Sequence, residues 1–403
     1  MKKIKMMMAA ALGVLVSCGS VKSGEEAIAA SRESKVVVAY VTSWSEVMPD
    51  PQYMTHINYA FGHVNESFNG VKIDNEERLR QIVDLRKQKP ELKVLLSIGG
   101  WGSGRFSEMA ANDEYRRAFA ADCDRVVKEF ALDGIDIDWE YPTSSMANIS
   151  SSPDDTENFT LLMQDIRAAI GNEKELTLAT VASARYIDFK AILPSVDFVN
   201  IMAYDMASAP KHHSALYPSG HSGDITSDGA VTAHLKAGVP PSKLVMGMPF
   251  YGRGGDGYPS FQDYNKVGNT DTQYTEKWDE VAQVPYLADK NDTLVFGFEN
   301  PRSLAIKCQY ILDKDLLGGM YWDYSGDNEQ GDLRRTVAEN LLGKPHKAKV
   351  LVLTERGGQH GGFTDAGLKW LAAEGAKGNF SITEINNARN VTCLLYTSPS
   401  PRD

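Results

Sequence analysis

Cysteine is scarce, with four residues in a chain of 403. No disulfide framework is visible in their placement, and neither the cysteines nor the histidines fall at metal-ligand spacing, so no metal and no other cofactor is expected. Positive charge is also short. The formal net charge of −11 argues against nucleic acid or an anionic membrane surface as partner and favours an uncharged substrate. The apolar run at the N-terminus, Met6 to Val16, is too short to cross a bilayer. No glycine-rich phosphate motif follows the first strand-like segment, which speaks against an open nucleotide-binding sheet.

What the chain does have is the stretch Asp133-Gly134-Ile135-Asp136-Ile137-Asp138-Trp139-Glu140-Tyr141-Pro142. Read with the period of two of a strand, Asp136, Asp138 and Glu140 share one face and Ile135, Ile137 and Trp139 the other. Asp and Glu are poor strand formers, so interleaving them with large apolar residues is not the composition of a solvated face. Like charges this close cannot all ionise, and at least one acid should keep its proton near neutral pH. Proton donation is the chemistry implied.

Around this stretch, strand and helix patterns alternate. Strands are expected at Lys35 to Trp44, Ile57 to Gly62, Lys93 to Ile98, the acidic stretch, Leu176 to Ala182, Phe198 to Tyr204, Leu244 to Tyr251 and Gly318 to Tyr324. A capping pattern at Asp74 and Glu77 opens one intervening helix, and others are expected at Asp113 to Phe130, at Phe159 to Ile170 and through Leu333, Val337 and Leu341. Eight strands so arranged predict an α/β fold of the (β/α)8 TIM-barrel type, with the catalytic groups at the C-terminal strand ends. Cys123 and Cys308 each recur with apolar residues on a helical stripe and read as core thiols.

The acidic stretch resembles the Asp-x-x-Asp-x-Asp-x-Glu signature of glycoside hydrolase family 18, the chitinases and their relatives. Ser97-Ile98-Gly99-Gly100-Trp101, Met202-Ala203-Tyr204-Asp205, Pro249-Phe250-Tyr251-Gly252-Arg253 and Tyr321-Trp322-Asp323 match further strand ends of that family, and the resemblance spans about residues 35–343. It implies a reaction in which the substrate's own acetamido group attacks the sugar, an exception to the two-carboxylate scheme. Glu140 would then be the proton donor, Asp138 the residue orienting the acetamide, Asp136 its proton-sharing partner, and Tyr204 the donor to the acetamide carbonyl. Trp322 would floor the sugar site, Asp205 would bond the same sugar, and Tyr40, Trp101, Met202 and Arg253 would line the pocket. The expected substrate is chitin or an N-acetylglucosamine oligosaccharide, cut internally by a monomer. An endo-β-N-acetylglucosaminidase acting on the chitobiose core of N-glycans and a non-catalytic chitin-binding lectin are the alternatives.

Two loops depart from simple expectation. The interval from Gly254 to Pro301, rich in Gly, Asp, Asn and Tyr, reads as a short insertion of loop with one hairpin, leaving an open groove. His212, His213 and His221 lie in a Ser, Gly and Pro-rich segment and read as a solvated rim.

The ends carry separate signals. Residues 1–17 read as a signal peptide; Leu15-Val16-Ser17-Cys18 resembles a bacterial lipobox, implying lipidation of Cys18, a tether over residues 18–34 and a cell-envelope location. Residues 347–391 read as a truncated βαβ fragment that resembles the opening of a trehalose-utilisation-like domain of flavodoxin type. Residues 392–403 resemble translated sequencing adapter.

Overall fold

The computed structural model describes residues 35–255, 258–267, 273–343, 348–353, 364–371 and 380–385. The signal peptide, Cys18, the tether and the adapter-like tail lie outside them. Eight parallel strands form the centre: β1 (Val36–Thr42), β2 (His56–Val64), β4 (Lys93–Gly99), β5 (Gly134–Asp138), β6 (Glu175–Val181), β7 (Phe198–Met202), β8 (Leu244–Pro249) and β14 (Gly318–Trp322). A short strand, β3 (Val71–Ile73), pairs antiparallel with β2. Since β1 pairs with both β14 and β2, the sheet closes on itself as the predicted TIM barrel.

Helices α1 (Glu76–Val83), α2 (Phe106–Ala111), α3 (Asp113–Glu129), α4 (Asp155–Ile170), α5 (Phe189–Ile192), α6 (Ser227–Lys236), α7 (Pro301–Asp313) and α8 (Asp332–Leu341) lie between the strands in the chain. Helix α3 shows how local sequence sets them. Asn112 caps it, its Oδ1 accepting from the N–H groups of Glu114 and Tyr115 at 2.9 and 3.0 Å, and Asp113 and Glu114 favour the positive end of the helix dipole. Phe119, Cys123, Val126 and Val127 face inward, and Cys123 and Cys308 are both buried free thiols as expected. Helix α1 is capped by Asn75, which accepts from the Arg78 N–H at 3.2 Å, one residue later than the predicted Asp74.

Strand β5 divides its residues as its alternation requires. Ile135, Ile137 and Trp139 join the core between sheet and helices, where Trp139 stacks on Phe106 at 5.3 Å, while Asp136 and Asp138 are buried polar residues on the opposite phase. Gly99, across from Asp138 in register, has φ +131°, and a Cβ there would lie 2.0 Å from the Asp138 carbonyl oxygen. No other residue fits that contact.

The insertion corrects the sequence reading. Strands β9 (Tyr251–Gly254), β10 (Gln262–Asp263), β11 (Thr275–Asp279), β12 (Val284–Ala288) and β13 (Leu294–Gly297) form a five-stranded antiparallel sheet, not loop with one hairpin. Its small core is Leu287, Val295, Phe296 and Phe298. The strands are two to five residues long and β11 is largely polar, which hides their period in the sequence. Consequently the seventh barrel strand stops at Pro249, and Tyr251 belongs to the insertion. At the C-terminal end, β15 (Ala348–Leu353) and β16 (Phe380–Ile385) pair in parallel with a helix at 364–371 between them in the chain, the expected βαβ order. Among the described residues, no helix is long and apolar enough to cross a membrane.

Candidate active site

Parallel register builds the floor of the site. Ser97 on β4 and Thr177 on β6 are the direct neighbours of Asp136 on β5. Their hydroxyls donate to its carboxylate at 2.8 and 2.6 Å, Tyr40 Oη donates at 2.7 Å, and Asn200 Nδ2 donates at 3.3 Å. Burial pushes Asp136 above the usual carboxylate range, and these four donors oppose that rise without cancelling it.

Asp138 sits one strand step further along without such support. Burial first, then the charges of Glu140 and Asp136, push it well above the ordinary range, and its Oδ1 is buried with no hydrogen-bond partner among the described residues. Donors therefore favour the ionised form more at Asp136 than at Asp138. Glu140 lies just past the end of β5. Burial raises its carboxyl to about 7; a hydrogen bond from Tyr141 opposes the rise and the negative Asp205 adds to it. A carboxylic acid poised near neutrality can give a proton and take one back.

These acids open into a cavity of about 650 Å³. Nine of the ten residues expected at the site line it: Tyr40, Trp101, Asp138, Glu140, Met202, Tyr204, Asp205, Arg253 and Trp322. Asp136, the tenth, lies beneath and reaches the cavity through its bond to Tyr40. Trp322 stacks on Phe61 at 5.5 Å and leans on Tyr40 at 5.6 Å, so its ring is held as a flat apolar surface. Among the described residues, Tyr204 Oη has only the Met320 sulfur at 3.7 Å, a weak acceptor that leaves the hydroxyl available. Arg253 grips Asp205 with two hydrogen bonds of 2.7 and 2.5 Å. Although burial alone would raise Asp205, Arg253 and His213 hold it well below the carboxylate range, so it is a fixed negative charge.

Sequence reasoning missed the aromatic walls. Trp44, Phe61, Tyr141, Tyr186 and Phe261 also line the cavity, with Tyr141 stacked on Tyr186 at 5.5 Å. Trp44 (63% exposed) and Trp101 (61%) keep open indole faces. The signal available was position, since Trp44 and Tyr141 directly follow barrel strands. Phe261 and Arg253 come from the insertion, which thus walls the groove that the sequence reading left open. The solvated-rim reading fails for His212 and His213, which are 2% and 1% exposed; only His221 lies at the surface. Asp279 of the insertion covers His212, its Oδ2 lying 3.2 Å from His212 Nε2, and no local pattern announces a partner 67 residues away. A larger cavity of about 980 Å³ lies elsewhere beside the insertion. Its buried carboxylate, Asp327, is occupied by the N–H groups of Asn328, Leu333 and Arg334 and by the Arg334 guanidinium.

Known proteins of similar sequence and shape place the chain in a family. The family model "Glycosyl hydrolases family 18" matches residues 36–327. Chitotriosidase-1 of Mus musculus is 31% identical over 73% of this chain and 74% of its own length. Chitinase A1 of Niallia circulans is 29% identical over 76% of this chain, which spans 58% of that longer protein. Among solved structures, a family 18 N-acetylglucosaminidase from Paenibacillus barengoltzii is 32% identical with a TM-score of 0.70, covering 76% of this chain and 99% of that one. The Group IV chitinase of Ostrinia furnacalis in complex with allosamidin is 28% identical with a TM-score of 0.69, covering 77% and 100%. With its closed barrel, its acids at the C-terminal strand ends and a family match over most of its length, this chain is a member of glycoside hydrolase family 18.

Proposed function

We propose that the protein is a chitinase that hydrolyses β-1,4 bonds between N-acetylglucosamine units with retention, using the substrate's acetamido group as nucleophile. The observation that carries this reading is the pairing of a proton donor near neutrality, Glu140, with a buried carboxyl group, Asp138, whose Oδ1 has no hydrogen-bond partner among the described residues. The Asp138 proton passes to Asp136 across the sharing pair, and the Asp138 carboxylate then accepts the acetamide N–H and steers its carbonyl oxygen to the anomeric carbon. Tyr204 donates to that oxygen. Glu140 protonates the leaving oxygen, and the resulting oxazolinium ion is stabilised by the Asp138 carboxylate; Glu140 then deprotonates the water that opens it. Trp322 supports the C–H face of the reacting sugar. Trp44 and Trp101, with their open indole faces at the cavity, suit the binding of further sugars of a chain, which supports internal cleavage.

The test compares fully N-acetylated chito-oligosaccharides with their de-N-acetylated counterparts. Only the former should be cleaved, with the β-anomer released first; equal cleavage of both would remove the acetamido mechanism. The likeness to an N-acetylglucosaminidase favours a second reading, release of N-acetylglucosamine units, and cleavage of the chitobiose core of N-glycans is the further alternative. Incubation with colloidal chitin and with a high-mannose glycoprotein, followed by product sizing, separates the readings. Export and lipid attachment at Cys18 complete the proposal; radiolabelled palmitate incorporated into wild type but not Cys18→Ser checks it. The βαβ segment is assigned to the trehalose-utilisation-like class without activity.

A further inference from the structure

His213 is the most deeply buried group at the site that the proposed reaction leaves unused. Its Nδ1 lies 3.4 Å from Asp205 Oδ1, an ion-pair contact short of hydrogen-bond geometry, and among the described residues neither ring nitrogen has a hydrogen-bond partner. The ring leans on Tyr251 at 5.4 Å, and Tyr251 in turn meets Tyr204 edge-on at 6.1 Å. The residues on either side of His213 are tied down from the insertion and α7. Asp279 meets His212; Glu299 accepts from Ser214 Oγ at 2.6 Å, and the buried Lys307 donates to Ser214 O at 2.5 Å. The backbone closes the arrangement, with Met206 N–H donating to His213 O at 3.1 Å. Asp205 itself has φ +53°, a left-handed conformation that such neighbours must hold.

We infer that His213 is a positioning residue: its Nδ1–H fixes the Asp205 carboxylate opposite Arg253, and the insertion sheet holds His213 in place. A deprotonated Nδ1 facing a carboxylate would repel it, so the contact requires the proton on Nδ1. Arg253 engages both Asp205 oxygens from one side, and His213 braces Oδ1 from another. The remaining acceptor capacity of Asp205 is then directed to the sugar, an assignment that rests on the proposed reaction.

The test exploits reach. The amide nitrogen of Asn is attached to Cγ, as Nδ1 is, whereas that of Gln lies one bond further out. Steady-state hydrolysis of an N-acetylated chitotetraose should fall about tenfold to a hundredfold in kcat/KM for His213→Leu and His213→Gln, more in kcat than in KM. His213→Asn should restore most of the loss. In an Asp205→Asn background, His213→Leu should add less than about twofold, because the group through which it acts is gone. Melting curves identify variants that do not fold; should His213→Leu be one, the Asn and Gln pair decides. Wild-type rates in His213→Leu, equal rates in Asn and Gln, or additive losses with Asp205→Asn overturn the inference. An inactive wild type overturns the proposed function instead.

Discussion

The floor and the mouth of the barrel solve the same problem in opposite ways. At the floor, Asp136 is buried under four donors, and its charge is satisfied by neutral hydroxyl and amide groups from neighbouring strands. At the mouth, Asp138 and Glu140 are buried with far less support, and both are displaced upward. Three acids with similar intrinsic strengths thus acquire different duties because their neighbours differ in donor count. What the strand pattern provides is a column of carboxylates; the cross-strand register decides which one carries the proton.

The largest expected effect comes from the mouth. Glu140→Gln should lower kcat/KM on chito-oligosaccharides by about a thousandfold or more while the binding isotherm for the same oligomer is retained. Asp138→Asn should cost about a hundredfold, since its amide cannot stabilise the cationic intermediate. A floor substitution sharpens the contrast: Thr177→Val removes one donor from Asp136 and should lower the melting free energy by about 1–3 kcal/mol with a smaller rate loss. Equal rate losses in the floor and mouth variants would break the division of labour.

The pH profile tests the same contrast. Glu140 must be protonated to donate, so kcat/KM should fall as pH rises through about 7, as a property of the coupled acids. Asp205 pushes Glu140 upward, so Asp205→Asn should move that alkaline limb to lower pH. Stability follows the same sign. Since Glu140 binds its proton more tightly folded than unfolded, its stabilising contribution is complete below about pH 4.5 and is lost through about 7. Glu140→Gln should therefore be more stable than wild type at pH 8 by about 2–3 kcal/mol, and not at pH 4, by thermal or urea unfolding.

Much of this was legible in the sequence, because the carboxylates sit on a period-two strand and the other site residues sit at strand ends, both local signals. The eight barrel strands are apolar runs long enough to read. The insertion was not legible, because short strands with one exposed face look like loop. His213 was misread for the same kind of reason: a Ser, Gly and Pro-rich segment looks solvated until distant residues such as Asp279 and Glu299 are folded over its neighbours. The aromatic walls emerged only when loops from separate strands met around one cavity.

The buried pair of Lys307 and Glu299 carries a consequence for modularity. Both side chains are fully enclosed, one on a barrel helix and the other where the insertion returns to it, and Ser214 completes their shell. Excising the added sheet, or exchanging it for a relative's, strands an ammonium in a dry interior unless the replacement brings a carboxylate to the same place, a defect on the order of 3–5 kcal/mol. Grafts in this lineage are thus constrained at the joint: barrel and appendage must be transplanted together, or Lys307 must be replaced by an aliphatic residue at the same stroke.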